Sequence, residues 1–111
     1  MHITTSADWD VARGGDDYRA PSLTDEGFIH CSTPEQIVAT ANRYYAHQRD
    51  LVVLVIDPAP LSADVRFENT MGGEELFPHV YGAIEVRAVI RVHRWTSDRG
   101  EFSAPAWLEE L

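Results

Sequence analysis

The sequence predicts an α+β fold, with a small mixed or antiparallel sheet of five to six strands, one main helix and one short helix. Three observations predict it. Apolar or alternating runs at residues 51–56, 65–68 and 84–95 have the period and composition of strands. Residues 33–47 show helical spacing behind a clear start signal. Strands outnumber helices and do not alternate with them, which argues against a βαβ nucleotide-binding layout.

Residues 1–5 read as an opening strand. Ser6 to Ala12 reads as the short helix, with Ser6 as N-cap and Asp8 in the first turn. Gly14, Gly15, Asp16 and Asp17 break it. Residues 18–26 read as an irregular loop, because Pro21 opposes helix. Gly27 leads into a second strand, residues 28–31. Thr33, Pro34 and Gln36 form the clearest local signal, a Thr-x-x-Gln capping box with proline at the first helical position. The main helix then runs to about His47, with Ile37, Ala41, Tyr44 and Tyr45 as its buried stripe.

Residues 51–56 lack alternation and read as a central strand covered on both faces. Asp57 to Pro60 end it, and residues 65–68 alternate as a short strand. Residues 69–75, with Gly72 and Gly73, read as a flexible loop, and residues 79–81 as extended. Residues 84–95 read as a long strand interrupted near 85–87. Its alternation sets Ile84, Val86, Ala88, Ile90 and Val92 on one face and Arg87, Arg91 and His93 on the other. The tail, residues 96–111, is polar, and Phe102 and Trp107 are expected to pin it to the body.

A length of 111 residues fits one domain, 1–111, with a body of about 1–95 followed by the tail. Eighteen acidic residues against nine basic ones leave a formal charge of −9, and every basic residue is arginine. Absence of lysine excludes Schiff-base and phosphate-loop lysine chemistry. The net charge argues against nucleic-acid binding and leaves a small molecule as the expected ligand. Cys31 is the sole cysteine, so no internal disulfide forms. With no signal pattern at the N-terminus and no run long enough to cross a bilayer, a cytoplasmic location without membrane attachment is expected.

Two segments concentrate chemistry. His30 and Ser32 alternate around Cys31, so they share a strand face just before the capped helix, whose N-terminus suits an anionic or carbonyl oxygen. The same residues also fit an alternative N-cap and a hydrogen-bonded core histidine. His79 and Tyr81 share a face if residues 77–81 are extended, and both suit proton transfer or substrate positioning. A structural corner is the competing reading. Arg66 and Glu68 share a strand face and suit a phosphate contact and a proton transfer, or a salt bridge. Cys31 faces away from His30 and reads as a small buried hydrophobe. No His or Cys spacing matches a zinc motif, so no metal site is expected.

These pieces together resemble the small bacterial proteins grouped as domain of unknown function 952. The likeness rests on His2-Ile3-Thr4 with Trp9, residues 22–36, residues 51–58, Arg66-Phe67-Glu68 and residues 77–82, and it covers about residues 1–95. Phe67 departs from a tryptophan common at that position. The resemblance implies a fold distantly like that of the ADP-ribosyltransferases. It further implies NAD as a possible cofactor, His2 on the first strand as the ribose contact, and residues 27–36 as the second strand with its helix. The late glutamate of that superfamily does not carry over cleanly, since Phe77-Pro78-His79 occupies its region.

Two enzyme readings and one non-catalytic reading follow. The first is a small-molecule enzyme on an ADP-ribosyltransferase-like scaffold, acting on NAD, ADP-ribose or another phosphate-bearing substrate. His30, His79 and Glu68 are its catalytic candidates, and His2, Thr4, Ser32, Arg66 and Tyr81 its binding candidates. The second is a metal-free acid–base cyclase, isomerase or hydrolase using His30 and His79. The third is a ligand-binding module without turnover.

Overall fold

The apolar run at residues 51–56 becomes the centre of the molecule. In the computed structural model, which describes residues 1–110, it forms β4 (Leu51–Ile56) between β1 (His2–Thr5) and β8 (Val89–Trp95), both pairings antiparallel. A strand without alternation needs cover on both faces. Leu51 and Val53 face one core with Ile3, Ile37 and Trp95, while Val52 and Leu54 face another with Trp9, Tyr18 and Ile29.

A second sheet carries the residues of interest. It orders β3 (Ile29–His30), β6 (Phe77–Val80) and β5 (Val65–Glu68), again antiparallel. A third pairs β2 (Asp17–Tyr18) with β7 (Ile84–Glu85). Among the described residues, the expected single sheet of five to six strands is thus eight strands in three sheets, and every named pair is antiparallel. A 3₁₀ turn at Val86–Ala88 is one physical cause. It falls where the interruption was expected, sending the first half of the 84–95 segment to β2 and the second to β4. The turn also resets the alternation on an edge strand. Ile90 and Val92, expected on one apolar face with Ile84 and Ala88, are 59% and 41% exposed, while Ile84, Ala88 and Trp95 are buried.

Among the described residues there are three α-helices where two were expected. α1 (Ser6–Ala12) is capped by Thr5, whose Oγ1 accepts from the Asp8 N–H at 3.1 Å. Ser6, expected as the cap, lies inside the helix and donates its hydroxyl to the Asp50 carbonyl at 2.9 Å. α2 (Pro21–Glu26) replaces the expected irregular loop. Pro21 opens it, where a missing N–H costs nothing, and Gly27 closes it at φ 89°, donating to the carbonyls of Ser22 and Leu23.

α3 (Ile37–Tyr44) is shorter than expected, and only half of the capping box forms. Gln36 Oε1 accepts from the Thr33 N–H at 3.1 Å, but no side chain caps the helix in return. Ile37 and Ala41 are fully buried; Tyr44, expected in the same stripe, is 51% exposed. Gln36 has a further duty. Its Nε2 donates to the Leu76 carbonyl at 2.7 Å and to Glu75 Oε2 at 3.2 Å, tying the 69–76 segment to the helix start. Asn69 organises the rest, accepting from the N–H groups of Met71 and Gly73 and donating to the Glu75 carbonyl. The expected flexible loop is therefore a hydrogen-bonded turn. Gln36→Ala is expected to cost about 1–3 kcal/mol, because a buried donor set is lost. Amide exchange at Glu75 and Leu76 should accelerate; unchanged exchange there would overturn the anchoring role.

The tail is pinned as expected. Phe102 is 2% exposed and exchanges two hydrogen bonds with the Asn42 side chain. Trp107 stacks on His93 with centroids 4.3 Å apart. Leu111, the last residue of the expected tail, lies outside the described residues. No helix among the described residues is long and apolar enough to cross a membrane.

Candidate functional site

Register builds the site. In the second sheet His30 pairs with His79, and His79 pairs with Arg66, so three side chains form one row across three strands. Residues two positions away share that face, which adds Phe28, Phe77, Tyr81 and Glu68. The two segments singled out in the sequence are thus neighbouring strands of one sheet.

Two histidine–carboxylate pairs result. His79 Nδ1 donates to Glu68 Oε1 at 3.0 Å. Tyr81 donates its hydroxyl to the same oxygen. Those two bonds, Tyr81 first and His79 second, hold the Glu68 carboxyl below the usual carboxylate range. The hydrogen bond to Glu68, reinforced by burial and by the carboxylate's charge, in turn raises the Tyr81 phenol above its ordinary value. Arg66 lies over the Tyr81 ring, its Cζ 4.5 Å from the centroid, and reaches Asp64 at 3.8 Å. His30 Nε2 donates to Glu26 Oε2 at 2.6 Å. The two imidazoles meet edge to face with centroids 5.1 Å apart, and Phe28 stacks on His79 at 4.3 Å.

Both imidazoles line a cavity of about 430 Å³, together with Ser32, Cys31, Phe77 and Met71. His79 is 2% exposed. Its Nε2 has no hydrogen-bond partner among the described residues. With Nδ1–H committed to Glu68, Nε2 of the neutral ring carries a lone pair. The geometry is that of a base oriented by a carboxylate.

His2 and Thr4 are not brought into this cavity. His2 is buried behind it, with Nδ1 2.6 Å from the His30 carbonyl and Nε2 2.8 Å from the Tyr18 hydroxyl. A carbonyl only accepts, so Nδ1 carries the proton. Burial pushes the His2 pKa down to about 4, so the ring is neutral and Nε2 accepts from Tyr18. The Tyr18 oxygen lies 3.1 Å from Thr4 Oγ1, which leaves the Thr4 hydroxyl as its donor. Both ring nitrogens of His2 are spent inside the protein. Ser32 is in the cavity, but its Oγ donates to Thr40 Oγ1 at 3.2 Å. The N–H groups of the segment leading to the helix are also engaged: those of Ser32, Thr33 and Cys31 go to Met1 O, Gln36 Oε1 and Pro78 O.

Glu26 and Phe28 were missed by sequence reasoning. The available signal was Pro21 and Gly27 bracketing a short helix, which sets Glu26 four residues before His30. Among the described residues, no group of three or more His, Cys, Asp or Glu side chains is placed to hold a metal ion. Cys31 is buried as expected, and burial pushes its thiol up to about 11. At pH 8 it is expected to react with a disulfide reagent about two orders of magnitude more slowly than in the unfolded chain. Equal rates in a stopped-flow comparison would contradict the burial.

Fold and cavity define a small α+β protein with two histidine–carboxylate pairs on one sheet face. The chain belongs to the family described as protein of unknown function DUF952, whose model matches residues 3–92. It is similar to the crystal structure of protein CC0527 from Caulobacter crescentus, with 30% identity, a TM-score of 0.81, and coverage of 97% of this chain and 93% of that one. The solution structure of the same protein gives 31% identity, a TM-score of 0.78, and coverage of 98% and 92%. No curated protein matches the chain.

Proposed function

We propose that the cavity is an acid–base active site for a small molecule, with His79 as the proton-transferring residue. The observation that carries this reading is the Glu68–His79 pair, which leaves the His79 Nε2 without a partner in a lined cavity. Nε2 takes a proton from the substrate, and the Glu68 carboxylate steadies the imidazolium that forms. Tyr81 holds the opposite side of the Glu68 oxygen and fixes its position. His30, oriented by Glu26, is near enough to give a proton to a second atom of the same substrate when it enters as the imidazolium, and the proton that His79 has taken is then passed back to His30 through solvent. Such a pair serves an isomerase, cyclase or hydrolase.

A reading with NAD or ADP-ribose on an ADP-ribosyltransferase-like scaffold ranks second. The first-strand position of His2 favours it. Against it, His2 has no ring nitrogen to offer, and Arg66 rests on Tyr81 and does not line the cavity.

The test is a metabolite-library turnover screen run over a pH series, with and without NAD. The expected result is NAD-independent turnover that falls about 10²–10⁴-fold in His79→Ala, with unchanged circular dichroism. NAD-dependent turnover would overturn the proposal. So would ligand binding that survives His79→Ala without turnover in either protein, which would mark a binding module.

A further inference from the structure

We propose that the free edge of β5 pairs with the same strand of a second copy of this chain, antiparallel and centred on Phe67, so that Arg66 of the partner subunit reaches the Glu68 carboxylate. The inference stands apart from the acid–base reading and goes beyond it.

The edge is open. β5 is the outer strand of its sheet, with β6 on one side only. Two backbone bonds fix which way its polar groups point. The Pro78 carbonyl accepts from the Cys31 N–H at 2.9 Å, so Pro78 faces β3. Its neighbours Phe77 and His79 therefore face β5, as does Tyr81, whose N–H donates to the Asp64 carbonyl at 2.9 Å. Arg66 lies opposite His79 and Glu68 opposite Phe77, so those two residues spend their backbone groups on β6. Val65 and Phe67 turn theirs outward, and both residues are exposed. Such an edge is a template for another strand.

Side chains select the occupant. Outward groups pair with outward groups, so Phe67 forms a hydrogen-bonded pair with Phe67 of the partner subunit at the two-fold axis. Arg66 then falls opposite the partner's Glu68, and Glu68 opposite the partner's Arg66. These are the non-hydrogen-bonded positions, where side chains lie closest. One strand thus carries opposite charges at the spacing that matches its own copy. A register centred on Val65 would run the pairing into the bend at residues 62–63. Phe67 is 58% exposed and gains an aromatic partner across the axis. The formal charge of −9 on each chain keeps the pair weak.

The pairing bears on the site. His79 and Tyr81 both bond Glu68 Oε1, and Oε2 has no hydrogen-bond partner among the described residues. Within one chain Arg66 comes no nearer to a carboxylate than 3.8 Å from Asp64, and its side chain is 58% exposed. Arg66 of the partner subunit is thereby a positioning residue, holding the Glu68 oxygen that the site leaves open.

Sedimentation equilibrium of the full chain from about 10 µM to about 1 mM tests this, with a Kd on the order of 100 µM expected for so short a strand. Arg66→Glu and Glu68→Arg each set like charges opposite one another and should weaken dimerisation about tenfold or more. Mixing these two variants rebuilds both opposite-charge pairs and should restore association. Phe67→Pro removes only an outward N–H and should also leave a folded monomer by circular dichroism. In the native chain the Glu68 carboxyl carbon resonance should move with concentration alongside the Phe67 amide. A chain monomeric up to about 1 mM would overturn the inference, as would a dimer of unchanged strength in Arg66→Glu and Phe67→Pro, which would lie on another surface. A Phe67 shift without a Glu68 shift would overturn the reach of Arg66 to the site.

Discussion

Lowering the pH from 7 to 4 is expected to remove about 3 kcal/mol of stability through His2 alone. Burial lowers the His2 pKa from the ordinary 6.5 to about 4 in the folded chain. Between those two values the unfolded chain binds a proton that the folded chain refuses. Stability therefore rises with pH across this window, and it falls as pH drops through 6.5 toward 4. Below about pH 4 His2 itself protonates in the fold, and its contribution to the slope ends. Glu68 acts in a separate range. Its carboxyl is held low by Tyr81 and His79, so its contribution is complete above the unfolded value near 4.5 and fades only below it. Urea melts at half-unit pH steps isolate the effect. His2→Asn should be less stable at pH 7, because Tyr18 loses an acceptor, yet its stability should vary less between pH 6.5 and 4. An equal slope in the variant would show that His2 is not the buried neutral group described.

The second large effect belongs to Glu68. Glu68→Gln is expected to lower turnover about 10²–10⁴-fold. A neutral amide no longer stabilises an imidazolium on His79, and it can present an N–H where His79 Nδ1 needs an acceptor. One readout needs no substrate. The hydrogen bond to the Glu68 carboxylate and that group's charge raise the Tyr81 phenol, so the substitution should let Tyr81 ionise at lower pH. Absorbance at the tyrosinate band follows this directly. Burial holds Tyr18 up at about 12 and also raises Tyr45, so neither should follow the Tyr81 step. A Tyr81 titration unmoved by Glu68→Gln would remove the shared carboxylate from the site, and with it the orientation of His79.

Much of the site was legible in the chain because alternation is a local property. His30 and Ser32, His79 and Tyr81, and Arg66 and Glu68 each lie two residues apart on short extended segments, so their shared faces follow from strand geometry. Glu26 was not legible in the same way. It sits at the end of a six-residue helix whose proline was read as a breaker, when proline at a first helical position is well tolerated. His2 is a different case. Its place on the first strand was read correctly, but strand position says nothing about which way a ring nitrogen is satisfied. Burial sets its two nitrogens against the His30 carbonyl and the Tyr18 hydroxyl.

By itself, the chain determined the central strand at residues 51–56, the strand at 65–68, the helical stripe of Ile37 and Ala41, and the two segments that carry the histidines. Each depends on periodicity or composition within a few residues, which no distant contact overrode. The tertiary structure alone decided the rest. It divided the strands among three sheets, set His30 and Arg66 on either side of His79, and delivered the Glu68 oxygen to that ring. It also committed the N–H groups of Cys31, Ser32 and Thr33 and the Ser32 hydroxyl to partners inside the fold. Pairing register and burial arise between residues tens of positions apart, and no local spacing encodes them.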